Sequence, residues 1–290
     1  MLAPLAMMAC MGMNFAERLH RAQVVGNSLA CVGLDPDPAR LPQDLAGTAQ
    51  PLYAFNRRIV DATFDIVAAY KPQIAFYSAV GAEAELAASI RYIRERAPHA
   101  LVILDAKRND IGNTANAYAQ EAFDRYGADA VTVNPYMGGD SVLPFLAHPD
   151  RGAILLCRTS NPGAKDFQDL NVDGLPLYRR VAEHAATHWN RQRNLMLVVG
   201  ATCAREMAEL RRAHPELSFL VPGIGAQGGD LEATLAAGLD ADGAGLLLSS
   251  SRAIIYAGGG MPEPIRAAAL QLHEAINARR GVQRAPTAVA

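Results

Sequence analysis

Short, unbroken apolar runs recur along the chain, separated by longer stretches with helical spacing. The runs LACVGL (29–34), DIVAAYK (65–71), ALVILDA (100–106), DAVTVN (129–134), AILLCR (153–158), LMLVVG (195–200), SFLVPG (218–223) and GAGLLLS (243–249) predict eight strands. They are apolar throughout rather than alternating, the pattern of parallel strands covered on both faces. Helices are predicted over 51–64, 81–96, 113–126, 174–190, 202–213, 229–237 and 263–278, with a shorter one at 140–147. Over 81–96, Leu86, Ile90 and Ile93 share one helical face and arginines take the other. Strands alternating with helices predict an α/β fold, a (β/α)8 TIM barrel forming a single domain over 14–278. An open doubly wound sheet is the alternative.

Composition adds limits rather than a function. Half of the 290 residues are hydrophobic and 19% are charged, enough for one large core. The net charge of −2 comes with no basic tract, which excludes nucleic acid as an expected partner. The four cysteines, Cys10, Cys31, Cys157 and Cys203, form no CxxC pair; buried thiols in a reducing cytoplasm are expected. The first dozen residues are apolar but carry no positive leader and are too short to cross a bilayer, so no membrane role is expected. Residues 1–13 read as an over-long start or a disordered lead, with Met11 or Met13 as the natural beginning, and 279–290 as a disordered tail.

Chemistry in such a barrel gathers where strands end at the C-terminal face. Here the strand ends carry Asp35, Lys71, Asp105-x-Lys107-x-x-Asp110, Asn134, the Thr159–Ser160 pair, the segment PGIGAQGG and Arg252. Each has a plain structural reading. Asp35 and Asn134 precede prolines and suit turns, Lys71 suits a surface, and the glycines suit loop punctuation. Seven polar strand ends together point to a site. Loops after the seventh and eighth strands often hold phosphate, and Gly223, Gly225, Gly228 and Gly229 would let backbone N–H groups approach it. Gln227 adds an amide donor and Arg252 a bidentate cation, so a small phosphorylated ligand is expected.

The run DAKRND is the most informative. On an extended segment Asp105 and Lys107 point to the same side, and Asp110 follows as the chain turns. A salt-bridged strand end is the plain alternative. Partly buried charges cost several kcal/mol each unless well paired, so a purely stabilising role is poorly motivated. A lysine flanked by acids stays protonated, which suits a proton donor or an electrostatic clamp better than a Schiff-base nucleophile. His184 and His188 lack the glutamate of HExxH and lie away from the mouth; a surface pair is expected there, not zinc.

The run Asp105-x-Lys107-x-x-Asp110-Ile-x-x-Thr114 resembles the signature of the orotidine 5′-phosphate decarboxylase family. So does the order of CVGLDPDP, AYKPQIAFY, VNPYMGGDS, CRTSNPGAKDFQ, PGIGAQGG and SSSRAIIYAG, as in its longer bacterial subgroup, from about Asn14 to Gly260. The resemblance implies conversion of orotidine 5′-phosphate to UMP and CO2 in pyrimidine synthesis, by a cytoplasmic homodimer with neither metal nor organic cofactor. It implies that Asp35 and Lys71 bind the ribose, that Asp105 and Lys107 face the substrate carboxylate, and that Lys107 protonates C6. Asp110 and Thr114 would come from the partner subunit. Ser160 would hold the pyrimidine, and Gln227 and Arg252 the phosphate. Ser78, Asn109 and Asn113 depart from the family pattern, and the apolar N-terminal extension has no counterpart there. The sugar-phosphate rivals, keto-gulonate-phosphate decarboxylases and hexulose-phosphate synthases, resemble the same motif but use a metal held partly by an acid before it. The segment ALVIL offers none. A barrel that merely binds a phosphorylated nucleotide is the non-catalytic alternative.

Overall fold

A computed structural model describes residues 12–224 and 229–280. Eight parallel strands close a barrel in chain order: β1 (Ala30–Leu34), β2 (Ala69–Pro72), β3 (Leu101–Arg108), β4 (Ala130–Val133), β5 (Gly152–Arg158), β6 (Leu195–Val199), β7 (Ser218–Pro222) and β8 (Leu246–Ser250). Pairing of Ala30 with Leu248 and Cys31 with Ser249 closes the ring, so no strand edge is left open. The predicted (β/α)8 barrel is the observed one.

The unbroken apolar runs follow from two separate cores. Inside the barrel, Cys31, Ala69 and Ala130 interleave with the larger Ile103, Ile154, Met196, Leu220 and Leu247. Outside it, Val32, Val102, Val131, Leu197 and Leu248 pack beneath the helices. The helices are α1 (Phe15–Val25), α2 (Pro51–Thr63), α3 (Glu83–Arg96), α4 (Gly112–Gln120), α5 (Gly139–Leu146), α6 (Leu177–His184), α7 (Ala204–Ala213), α8 (Leu231–Gly238) and α9 (Pro262–Arg280). α3 shows the logic: Leu86, Ile90 and Ile93 are buried, while Glu83 and Glu85 open the helix and Arg94 and Arg96 close it. That charge order complements the helix dipole at both ends.

α1 lies across the floor of the barrel and was not among the predicted helices. Asn14 caps it and Glu17 returns the bond to the Asn14 N–H, a capping box. Phe15 fills the floor so closely that a Cβ on Gly152 would sit 2.5 Å from its ring; burying such a side chain is worth about 1.5–3 kcal/mol. Arg18, Arg94 and Arg151 then surround the buried carboxylate of Asp129, which also accepts the Val102 N–H at 2.7 Å.

Other boundaries move. The helix predicted over 174–190 starts only at Leu177, because Asn171–Val172 and Leu175–Pro176 form a two-stranded hairpin. Its turn, Asp173-Gly174, has positive φ at both positions. The strand predicted over 65–71 begins at Ala69, the one predicted over 243–249 begins at Leu246, and α9 continues through Arg280 rather than ending at 278. Residues 1–11 and 281–290 lie outside the described residues, as do Gly225, Gln227 and Gly228.

Candidate active site

Along β1 to β4 the inward side changes character at the top. Ala69, Ile103 and Ala130 are apolar; two residues further on, in the same inward parity, stand Lys71, Asp105 and Thr132. The barrel therefore ends in a polar layer resting on its own apolar filling.

Asp105 is the centre of that layer. Only 7% exposed, it accepts Lys71 Nζ at 2.7 Å on Oδ2. On Oδ1 it accepts Lys107 Nζ at 2.6 Å and the Thr132 hydroxyl at 2.9 Å. Burial pushes its carboxyl up, but Lys71 and then Lys107 outweigh that and hold it well below the usual carboxylate range. Lys71 is 6% exposed. Burial works against its cation, yet the charges of Asp105 and then Asp35 raise its pKa above that of an ordinary lysine. The plain reading of Lys71 as a surface residue is thus corrected. Beneath it, burial pushes the Cys31 thiol up to about 12, so it stays neutral among these charges.

Asp35, Lys71, Asp105 and Lys107 form a ladder of alternating sign across β1, β2 and β3. Oδ1 of Asp35 is buried with no hydrogen-bond partner among the described residues, an acceptor suited to a hydroxyl. Lys107 ends the ladder with a side chain 48% exposed and a backbone at φ +45°. A non-glycine residue in that region is strained, and such strain is found at functional sites.

The remaining sequence candidates surround this ladder. Ser160 follows β5 and lies over Gly200, where a Cβ would come within 2.8 Å of the Ser160 Cβ; only glycine lets the two strand ends approach so closely. Arg252 is exposed and opens the short helix Arg252–Ile255 after β8, and Gly223 after β7 has φ +99°. Asp110 turns to accept the Ile111 N–H at 2.8 Å, and Thr114 is exposed on α4; neither joins the ladder within this chain. Arg108 points away from the mouth, bound to Glu121 at 2.6 Å and stacked over Tyr118. Asn134 accepts the Tyr136 N–H at 3.0 Å, which is its turn-forming reading.

Two residues were missed by the sequence reading. Thr132 was hidden inside an apolar strand, and only its inward parity with Asp105 marks it. Tyr256 accepts the Asp37 N–H at 2.7 Å and donates to the Asp35 carbonyl at 3.3 Å, tying the loop after β1 to the loop after β8. Among the described residues, no three His, Cys, Asp or Glu side chains gather as a metal-binding group. The His184 and His188 rings stack at 4.3 Å on the barrel's outside.

A closed barrel with a charged ladder at its mouth defines a barrel enzyme. The chain belongs to the orotidine 5′-phosphate decarboxylase / HUMPS family, whose model matches residues 28–264. It is 56% identical over 272 residues to the orotidine 5′-phosphate decarboxylase of Cellvibrio japonicus, covering 92% of this chain and all of that one. It is also 56% identical to the Azoarcus enzyme of the same name over 270 residues, with the same coverage. The structure of Leishmania donovani OMP decarboxylase superposes with a TM-score of 0.81 at 43% identity, covering 93% of this chain and 100% of that one.

Proposed function

We propose that this chain decarboxylates orotidine 5′-phosphate to UMP in pyrimidine synthesis, with Lys107 as the proton donor. The observation that carries the proposal is the ladder itself, a fixed ammonium held 2.6 Å from a buried carboxylate at the barrel mouth. Relatives of that name cover nearly the whole chain, and the segment before Asp105 has no acid to complete the metal site of the sugar-phosphate rivals. Both Asp105 oxygens are already engaged by cations and the Thr132 hydroxyl, which favours a reaction without a metal held by Asp105.

In the proposed reaction the bond from C6 to the carboxylate breaks and its electron pair stays on C6, in the plane of the ring, where no π-system can take it up. The Lys107 ammonium, already placed, stabilises that charge and transfers a proton to C6. Its exposed side chain then regains a proton from water. The substrate carboxylate, seated beside Asp105, meets a like charge that is relieved as CO2 departs. Asp35 and Lys71 hold the ribose hydroxyls, Ser160 the pyrimidine edge, and Gln227 with Arg252 the phosphate. That remote grip supplies binding energy used at the reacting carbon.

A homodimer completes the site, with Asp110 and Thr114 reaching the neighbouring ladder. Ile111 beside Asp110, Phe76 and Val80 after β2, and Tyr136 and Met137 after β4 are exposed apolar side chains, which supports this assembly. A cytoplasmic location fits the free buried thiols Cys31, Cys157 and Cys203. No helix among the described residues is long and apolar enough to cross a membrane.

The test follows loss of orotidine 5′-phosphate by absorbance, with and without EDTA, for the native chain and Lys107→Ala. EDTA-insensitive turnover that Lys107→Ala abolishes is expected. Turnover lost to EDTA would favour the sugar-phosphate chemistries, and tight UMP binding without turnover would favour a binder.

A further inference from the structure

The pairing of β3 with β4 is irregular at the site. Ile103 faces Ala130 and Leu104 faces Val131, but the next pair is Arg108 with Val133. Asp105, Ala106 and Lys107 therefore stand opposite Thr132 alone, a bulge in which the β4 backbone cannot meet every N–H of β3. Thr132 meets them with its side chain. Only 1% exposed, its hydroxyl accepts the Ala106 N–H at 3.0 Å and the Lys107 N–H at 2.9 Å, and donates to Asp105 Oδ1 at 2.9 Å.

A hydroxyl has one proton and two lone pairs, so these three bonds saturate it. With both lone pairs taken by N–H donors, its proton can only be directed at Asp105. The same oxygen thus fixes two things at once. It stabilises the left-handed backbone of Lys107, which otherwise has no reason to be populated, and it sets the face that Asp105 presents to the Lys107 ammonium. A Val side chain could preserve the packing but none of these bonds.

We propose that Thr132 is a positioning residue for the decarboxylation, holding the β3 bulge so that the Lys107 amine and the Asp105 carboxylate keep their mutual geometry. It acts through the Asp105 carboxylate and the Ala106 and Lys107 N–H groups that it binds. The inference rests on the reading of Lys107 as the acid, and predicts that the damage of losing Thr132 falls on the chemical step rather than on substrate capture.

Thr132→Val and Thr132→Ser separate these effects. Loss of a hydrogen bond to a charged group corresponds to a rate effect of roughly 10- to 100-fold. Thr132→Val is therefore expected to lower kcat by that factor while KM changes by less than about 3-fold, and Thr132→Ser to restore kcat to within about 3-fold of the native chain. UMP binding by Thr132→Val, measured by calorimetry, should persist. Native kcat in Thr132→Val, or equal losses in the Val and Ser variants, would overturn the proposal. If Thr132→Val does not fold, Thr132→Cys, with its weak thiol donor, is expected to give an intermediate kcat, and native kcat there would overturn it equally. Lys107→Ala assayed alongside keeps the two ideas apart: full activity in Lys107→Ala sinks the acid assignment, full activity in Thr132→Val sinks this one.

Discussion

Replacing Asp105 by Asn keeps the shape of the ladder's centre and removes its charge. Lys71 is then left 6% exposed, with Asp35 as the remaining carboxylate beside it. Breaking one side of a buried pair in this way costs about 3 kcal/mol, a fall of roughly 5 °C in melting temperature for a domain of this size. Lys71→Met removes the other charge at similar volume. Asp105 then keeps Lys107 and Thr132 as partners, so its cost should be smaller, about 2 kcal/mol. The double variant removes both buried charges together and should cost about 3 kcal/mol, not the additive 5, a coupling of about 2 kcal/mol. Urea unfolding at neutral pH followed by far-UV circular dichroism, with all four proteins in one buffer, measures the cycle. Costs that simply add would show that the 2.7 Å contact contributes nothing as a pair, and the account of the ladder as one electrostatic unit would have to be abandoned.

Two further outcomes follow from the geometry. Mixing inactive Lys107→Ala and Asp110→Ala chains after partial unfolding should regenerate about a quarter of native activity, because half the dimers would carry one intact site of two; no recovery would mean that Asp110 serves its own subunit. At the floor, burial pushes the Asp129 carboxyl up, but Arg94 and then Arg18 hold it below its ordinary 3.8. A depressed folded pKa gives stability that is present above 3.8 and lost as pH falls through the folded value. Asp129→Asn should therefore flatten the loss of stability on acidification below pH 3.8 by up to about 1.4 kcal/mol per pH unit, read from urea midpoints across that range; an unchanged slope would refute it.

The strands were readable because parallel strands covered on both faces must be apolar along their length, and only a barrel or doubly wound sheet provides such cover. Asp105, Lys107 and Lys71 were readable for the opposite reason, as charges set where that cover stops. What escaped was local. The Asp173-Gly174 turn signal lay inside a stretch whose later residues have helical spacing, and the helical pattern was extended over it. α1 shows only a narrow apolar stripe, Phe15, Leu19 and Ala22, directly after an apolar N-terminal run that masked its start. Its Asn14 and Glu17 cap was the available signal. Thr132 escaped because a threonine in a β-branched strand looks like propensity alone; its use depends on a bulge that only coordinates reveal. Asp110 and Thr114 were recognised by motif, not by geometry, and within this chain neither joins the ladder.

Because Phe15 and α1 stopper the barrel at the end opposite the ladder, the chain leading into Met13 departs from the face remote from the entrance. An attachment at Met13 itself would leave the doorway on the side away from a support. The same attachment at a loop after β2, β3 or β4 would instead obstruct the way in.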